Sequence, residues 1–266
     1  MLKKRLLTAV VLIFFVVLFL FSVNVYFFSV VLAALLLVGM NEWFGLLPLK
    51  KEWPRVLSFF IAGCGLMTVY HHHFDLYAML VLVICWLYLS MCVILYPKAQ
   101  VIWGSACILW PVMFLVILGC FGSILQIYSG YNGKGYLFYL LLLIWGADTG
   151  AYFAGKQFGK TKLIPHVSPG KSVEGVAGAF GTVLLISFIG QYVFDISTLS
   201  AWYLTSMIVL ISSIFGDLTI SMLKRRVGLK DTGSILPGHG GVLDRIDSLL
   251  CASVFFNFLQ NTVGFS

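Results

Sequence analysis

The chain has 266 residues, of which 61% are hydrophobic and only 10% are charged. A soluble domain carries roughly 25% charged residues, so this composition excludes a water-facing globule and indicates a core that is shared with lipid. The net charge of +7 does not indicate a nucleic-acid partner, because the basic residues lie between apolar runs, as determinants of membrane topology do.

Apolar runs recur along the whole chain, and each is long enough to cross about 30 Å of hydrocarbon as a helix. Helices are expected because a spanning segment has to satisfy its own backbone hydrogen bonds, and the alternating pattern of a barrel is absent from the sequence. The first run imitates a signal peptide but lacks a convincing cleavage site, so we expect a retained span. The predicted spans are 6–23, 26–47, 56–70, 76–95, 102–126, 136–155, 173–194, 200–220 and 248–264.

The predicted fold is therefore an all-α, polytopic transmembrane bundle of about nine spans. Loops assigned alternately from a cytoplasmic N-terminus place every one of the 17 basic residues except Lys134 on the cytoplasmic side. The positive-inside rule accordingly predicts a cytoplasmic N-terminus and an external C-terminus.

Polar residues are concentrated beyond residue 130, in segments 148–175 and 217–248. We interpret 1–130 as scaffold helices that are chemically plain, and 131–266 as helices that carry cytoplasmic catalytic loops. The six cysteines are expected to be reduced core thiols without a disulfide framework, because they lie in or against apolar runs and lack C-x-x-C spacing. The run His71–His73 beside Asp75 is interpreted as an interfacial polar cap rather than an external metal site.

The first polar segment begins inside a predicted span with Asp148. An unpaired charge at that depth costs about 2.5–3.5 kcal/mol, so Asp148 is a candidate functional residue, with a structural hydrogen bond as the alternative. Further on, Ser168-Pro169-Gly170-Lys171-Ser172 lacks the full P-loop pattern, because Pro165 replaces its first glycine and no strand is predicted before it. We interpret this stretch as a turn that enters a helix, where Lys171 and the helix N-terminus contact phosphate.

The second polar segment combines acidic and basic side chains at two span ends. Asp217, Ser221, Lys224 and Arg225 have the spacing of one helix face, and Asp244 and Asp247 lie one helical turn apart. Carboxylates at a membrane edge suit a hard cation such as Mg²⁺, which takes one or two carboxylates together with substrate phosphates. The neighbouring lysines and arginines suit phosphate oxygens.

Between these span ends lies the glycine-rich turn Pro237-Gly238-His239-Gly240-Gly241, whose backbone N–H groups could surround an anion. Each feature also has an ordinary explanation: a basic cluster as a topology signal or lipid-headgroup contact, a Pro-Gly turn as a turn only, and an aspartate as a helix cap. Their combination around one loop favours a site for metal and phosphate.

Together the two segments resemble the bacterial phosphatidate cytidylyltransferases, also called CDP-diglyceride synthetases. The family motifs S-x-x-K-R, K-D-x-G/S, P-G-H-G-G and D-R-x-D are matched here by Ser221 to Arg225, Lys230 to Gly233, Pro237 to Gly241 and Asp244 to Asp247. The upstream elements W-G-A-D-x-G-A-Y and S-P-G-K-S/T are also similar. Length and span pattern resemble the family over the whole chain, whereas these motifs cover about its last 120 residues.

The resemblance implies that CTP and phosphatidic acid react to CDP-diacylglycerol and pyrophosphate with Mg²⁺ as cofactor, and that a monovalent cation such as K⁺ lies beside it. It also implies a homodimer, with its contacts in 1–130, in the bacterial cytoplasmic (inner) membrane, and an active site that faces the cytoplasm. The expected roles are metal binding by Asp217, Asp244 and Asp247, charge neutralisation by Lys224, Arg225 and Arg245, and substrate contacts by Ser168, Lys171, Ser221, Gly240, Gly241 and Asp148. His239 either orients the glycine turn or donates to the leaving group.

Three other functions remain as alternatives. A membrane transporter would place its polar site at the midplane between sequence repeats, whereas this sequence has no detectable repeat and its charges cluster at one face. A CTP-dependent lipid kinase would use a different acceptor and transfer the γ-phosphoryl group. A CDP-alcohol phosphotransferase is disfavoured because its D-G-x-x-A-R signature is absent from the sequence.

Overall fold

The computed structural model describes residues 13–49, 52–98, 100–235 and 240–264, and these residues are mostly helical. The helices are α1 (Ile13–Ser22, the described part), α2 (Val25–Phe44), α3 (Trp53–His71), α4 (Leu76–Leu95), α5 (Gln100–Trp103), α6 (Ala106–Ser129), α7 (Gly133–Phe158), α8 (Val173–Val193), α9 (Leu199–Arg226) and α10 (Leu243–Thr262). A short antiparallel hairpin, β1 (Lys162–Ile164) and β2 (Ser168–Ser172), connects α7 to α8.

Within the described ranges, seven helices are long and apolar enough to cross a membrane, namely α2, α3, α4, α6, α7, α8 and α9. Large apolar side chains such as Phe60 and Ile84 are exposed on the outer faces of these helices, as a lipid environment allows. The prediction of a polytopic helical bundle is confirmed at this level. The count of nine spans and the orientation of the termini stay predictions.

Two local predictions are wrong. The span predicted at 102–126 begins too early, because the helix is interrupted at Gly104, between α5 and α6. A Cβ at Gly104 would lie 2.5 Å from the carbonyl oxygen of Gln100. The stretch around Lys171 is strand β2 with β1 before it, and is not a turn. Glu174 in the first turn of α8 stabilises this hairpin by accepting hydrogen bonds from the backbone N–H groups that follow α7.

Two predictions about the scaffold have different outcomes. Four of the six cysteines are buried, but Cys64 and Cys107 are exposed, so the expectation of core thiols is wrong for these two. At the turn between α3 and α4, Asp75 accepts a hydrogen bond from the backbone N–H of Ala78 and thereby caps α4. This contact gives Asp75 a structural role, consistent with the interpretation of that turn as a polar cap.

The C-terminal helices pack in two close pairs, α7 with α8 and α9 with α10, and α6 also lies against α10. In the first pair, a Cβ at Gly150 would lie 2.6 Å from the carbonyl oxygen of Gly178, so the two backbones nearly touch. In the second pair, a Cβ at Gly216 would lie 2.5 Å from the carbonyl oxygen of Asp247. These close approaches bring the polar side chains of α7, α9 and α10 toward one another.

Candidate active site

A cavity of about 360 Å³ lies between α7, β2 and α8, with Ile214 of α9 also in its wall. Its lining combines polar and charged side chains with small and apolar ones. The polar lining residues are Asp148, Tyr152, Lys156, Lys171 and Ser172. Small-molecule sites typically enclose roughly 300–1,000 Å³, so this cavity is large enough for part of a nucleotide or a lipid headgroup.

The sequence located this cavity through two of its polar lining residues and missed three others. Asp148 and Lys171, both predicted as substrate contacts, line it, whereas Ser168 at the start of β2 is not among its lining residues. Tyr152, Lys156 and Ser172 line it without having been predicted. The hydroxyl of Ser172 accepts a hydrogen bond from the backbone N–H of Gly175 at 3.1 Å and so caps α8 beside the cavity.

Three aspartates from three helices form what we call the acid cluster: Asp148 of α7, Asp217 of α9 and Asp247 of α10. Lys171 Nζ lies 2.6 Å from Asp217 Oδ2, and the hydroxyl of Ser221 donates to Asp217 Oδ1 at 3.2 Å. The three carboxylates are close enough for their charges to act on one another, and the charge of Lys171 acts on all three. Among the described residues Lys171 forms an ion pair with Asp217, and Asp148 and Asp247 have no lysine or arginine partner, which favours a further cation beside them.

A second group of side chains, which we call the brace, consists of Glu42 of α2, Lys224 of α9, Thr232 and Asp244 of α10. Lys224 Nζ lies 2.6 Å from Asp244 Oδ1, and both side chains are at least 90% buried, with exposures of 10% and 8%. The hydroxyl oxygen of Thr232 lies 2.9 Å from Glu42 Oε2 and 3.0 Å from Asp244 Oδ2. These contacts join the N-terminal scaffold to α9 and α10, two of the three helices that carry the acid cluster.

Asp244 is surrounded by donors from the protein itself. Besides Lys224, its carboxylate accepts hydrogen bonds from the backbone N–H groups of Thr232 at 2.8 Å and Gly241 at 3.1 Å. Burial opposes ionisation of this residue, which precedes the apolar part of α10, but Lys224 and the two N–H groups together hold its pKa below the ordinary value. Gly241 of the glycine-rich turn thus donates to this carboxylate, and Gly240 has a positive φ of 85°, which favours glycine.

The structure therefore distributes the three predicted metal ligands over two groups. Asp217 and Asp247 meet in the acid cluster, where Asp148 joins them, while Asp244 lies in the brace one helical turn before Asp247. Spacing along α10 alone could not reveal this division, because it depends on which neighbouring helix each aspartate meets.

Glu42 is a buried acid that the sequence interpretation missed, since the scaffold helices were taken as chemically plain. It lies within the predicted span 26–47 and is only 5% exposed. An ionisable residue inside an apolar run was the signal that selected Asp148, and the same signal selects Glu42.

The remaining predicted residues have varied surroundings. Arg225 donates to the backbone carbonyl oxygens of Val167 and Leu229, both at 3.3 Å, and so supports the loop of the hairpin. Arg245 is exposed at the start of α10. His239 lies outside the described residues, as do the three residues before it, Leu236, Pro237 and Gly238. The predicted roles of these three residues toward phosphate stay predictions.

A divalent metal ion at the acid cluster would need oxygen ligands besides those of the described side chains. Across the ranges that the structure describes, no three His, Cys, Asp or Glu side chains are grouped so as to hold a metal ion by themselves. Mg²⁺, however, is usually bound by one or two carboxylates and by substrate phosphates, and it prefers oxygen ligands. The carboxyl oxygens of the acid cluster fit an ion that substrate phosphates help to bind.

Comparison with known proteins identifies a family and several relatives of this chain. The model of the Cytidylyltransferase family matches residues 3–263 of the chain. The phosphatidate cytidylyltransferase of Haemophilus influenzae is 35% identical over 97% of this chain and 98% of its own length. That of Pseudomonas aeruginosa is 37% identical over 99% and 98%. A third relative, the phosphatidate cytidylyltransferase of Bacillus subtilis, is 47% identical over 48% of each chain.

Proposed function

The chain belongs to the cytidylyltransferase family, and from this membership and its site we propose that it is a phosphatidate cytidylyltransferase. It transfers the cytidylyl group of CTP to phosphatidate, giving CDP-diacylglycerol and pyrophosphate. The observation that carries the proposal is the acid cluster with Lys171 beside a cavity, in a chain with several membrane-length apolar helices.

In the proposed reaction an oxygen of the phosphatidate phosphate attacks the α-phosphorus of CTP. A bond forms between that oxygen and the phosphorus, and the bond from the phosphorus to the oxygen bridging to the β-phosphate breaks. Pyrophosphate leaves with the electron pair of the broken bond. The attacking oxygen is already anionic near neutral pH, so the barrier lies in bringing two polyanions into line and stabilising the developing charge.

The residues that line or adjoin the cavity match these demands. Lys171 and Lys156 supply positive charge at the cavity wall, and the N-terminus of α8 presents backbone N–H groups beside Ser172. We propose that Asp217 and Asp247, with Asp148 next to them, bind Mg²⁺ together with the phosphates of CTP. When bound, this ion would neutralise phosphate charge and hold the reacting phosphate in line.

The predicted topology supports a cytoplasmic active site in the inner membrane of a bacterium. The basic loops place this end of the bundle on the cytoplasmic side by the positive-inside rule, where CTP is available. A phosphatidate headgroup lies at the membrane interface, at the depth where apolar helices give way to the polar hairpin. The homodimer and the K⁺ ion rest on the family resemblance alone and stay predictions.

The test uses membranes that contain the protein, supplied with phosphatidate vesicles, Mg²⁺ and CTP labelled at either the α- or the γ-phosphate. Cytidylyl transfer moves the α-label into lipid and leaves the γ-label in pyrophosphate. Movement of the γ-label into lipid would instead establish the lipid kinase. Transport of substrate across sealed vesicles without CTP, and without label in lipid, would establish the transporter.

A further inference from the structure

Glu42 lies in α2 and does not line the cavity, and its carboxylate is hydrogen-bonded to the region that precedes and begins α10. It accepts hydrogen bonds from the backbone N–H groups of Val242 at 3.0 Å and Leu243 at 2.8 Å, and it lies 2.9 Å from the hydroxyl of Thr232. Burying a carboxylate is costly unless hydrogen bonds compensate, and these three contacts provide that compensation. The arrangement therefore ties α2 to the start of α10.

The hydrogen bonds from Val242 and Leu243 to Glu42 cap the N-terminus of α10. The first N–H groups of a helix have no partners within the helix and are usually capped by a nearby Ser, Thr, Asp or Asn. At the start of α10 the N-cap residue is Val242, which makes no side-chain cap. Glu42 supplies the acceptor from another helix, and its negative charge is favourable at the positive end of the helix dipole.

The surroundings of Glu42 leave little room for another arrangement. One turn earlier on α2, a Cβ at Gly39 would lie 3.4 Å from the side chain of Ile246, so α2 packs closely against α10. On the other side, a Cβ at Gly233 would lie 2.6 Å from Glu42 Oε1. The carboxylate is thus enclosed between the loop and the helix, and its position determines where α10 begins.

The first turns of α10 hold the residues that matter for the site. Asp244 lies in the brace, and Asp247, one turn further on, lies in the acid cluster. We propose that Glu42 is a positioning residue for the proposed cytidylyl transfer: it fixes the start of α10, so that Asp247 faces Asp217, without touching substrate itself. The inference rests on the proposed function and adds a residue of the N-terminal scaffold to its machinery.

The position of Glu42 predicts a specific kinetic result. The cavity is lined by α7, β2, α8 and α9, whereas the hydrogen-bond partners of Glu42 are Thr232, Val242 and Leu243. Loss of the Glu42 carboxylate should therefore displace Asp247 and lower kcat. The KM for phosphatidate should stay the same, because the proposed role of Asp247 is toward the metal ion and the phosphates of CTP. A general loosening of the fold would instead change both constants and the thermal stability together.

The experiment compares Glu42→Gln, Glu42→Asp and the control Glu52→Gln with the unaltered chain in the labelled-CTP assay. Gln keeps the size of Glu but loses its charge and presents an amide group to the N–H donors, so kcat should fall roughly 10- to 100-fold, as for residues that orient a catalytic group. The KM for phosphatidate should stay within about twofold, and Asp should restore part of kcat because it keeps the charge. Glu52 has an 82% exposed side chain near the start of α3 and should behave as the unaltered chain does.

Two outcomes would overturn the inference: a folded Glu42→Gln with the kcat of the control, or a KM for phosphatidate that rises in step with the fall in kcat. If Glu42→Gln does not accumulate, Thr232→Val removes only the hydroxyl between the two carboxylates and should give the same split between kcat and KM. Its control is Thr68→Val, an exposed threonine on α3. Absence of α-label in lipid with the unaltered chain and with Glu52→Gln would instead contradict the proposed function.

Discussion

The acid cluster and the brace are built from the same kinds of side chain but differ in how those side chains are satisfied. In the brace, two carboxylates receive a lysine, a hydroxyl and backbone N–H groups, and little surface remains exposed. In the acid cluster, Lys171 forms an ion pair with Asp217, and Asp148 borders a cavity. Carboxylates already satisfied by protein donors stabilise a fold, whereas carboxylates in excess beside a cavity are available for cations and substrates.

The largest effect is expected at Asp247 of the acid cluster. Asp247→Asn removes one negative charge from the acid cluster and should lower cytidylyl transfer by about 1,000-fold, the upper range for loss of a group that stabilises transition-state charge. The amount of protein in the membrane should be unchanged. Asp195→Asn is a matched control, because Asp195 is exposed in the turn between α8 and α9 and its positive φ of 52° suits Asn. Near-normal activity of Asp247→Asn would contradict the assignment.

A substitution in the brace should lower the stability of the protein. Lys224→Met leaves the buried carboxylate of Asp244 without its cation, which should reduce the free energy of unfolding by about 3–5 kcal/mol. Thermal unfolding in detergent measures the effect. The double variant Lys224→Met, Asp244→Asn should recover part of this loss, because no unpaired buried charge remains. If Lys224→Met is as stable as the unaltered protein, the brace is not a structural element.

A substitution at Lys171 should affect substrate binding and not stability. The side chains of Lys171 and Asp217 are 27% and 30% exposed, so their ion pair is less buried than that of Lys224 and Asp244. Lys171→Met should change stability little but raise the KM for CTP roughly 10- to 100-fold, as loss of a hydrogen bond to a charged group does. Lys98→Met on an exposed turn is the control. An unchanged KM would remove Lys171 from the nucleotide site.

The smallest effect is expected at Ser221, whose hydroxyl donates to Asp217. Ser221→Ala should lower kcat/KM by about 2- to 10-fold, the value of one ordinary hydrogen bond. Ser90→Ala, which removes a hydroxyl bonded to a backbone carbonyl of α4, should have no effect on the same steady-state rates. A loss at Ser221 as large as that at Asp247 would mean that the hydroxyl acts on substrate directly.

The parts of the site that were predictable from the sequence share one signal, namely ionisable residues inside or at the ends of apolar runs. Asp148 was found because an unpaired charge inside a membrane segment is costly, and Asp217 and Asp247 were found because carboxylates at span ends suit a hard cation. The same signal was present at Glu42, but its partners lie about 200 residues further along the chain, and spacing shows only contacts within one helix. Most helices were predicted within a few residues, whereas β1 and β2 depend on contacts with α8 that no local pattern reveals.

The hydrogen bonds from α10 to Glu42 also bear on how the chain can be divided. The short linker 130–132 between α6 and α7 separates two halves that look independent in sequence, one apolar and one rich in motifs. A fragment that begins after this linker would contain the cavity and the acid cluster, yet its last helix would start with two buried N–H groups that lack an acceptor. Split expression of the two halves should therefore yield a working enzyme only when both fragments are made together and reassemble in the bilayer.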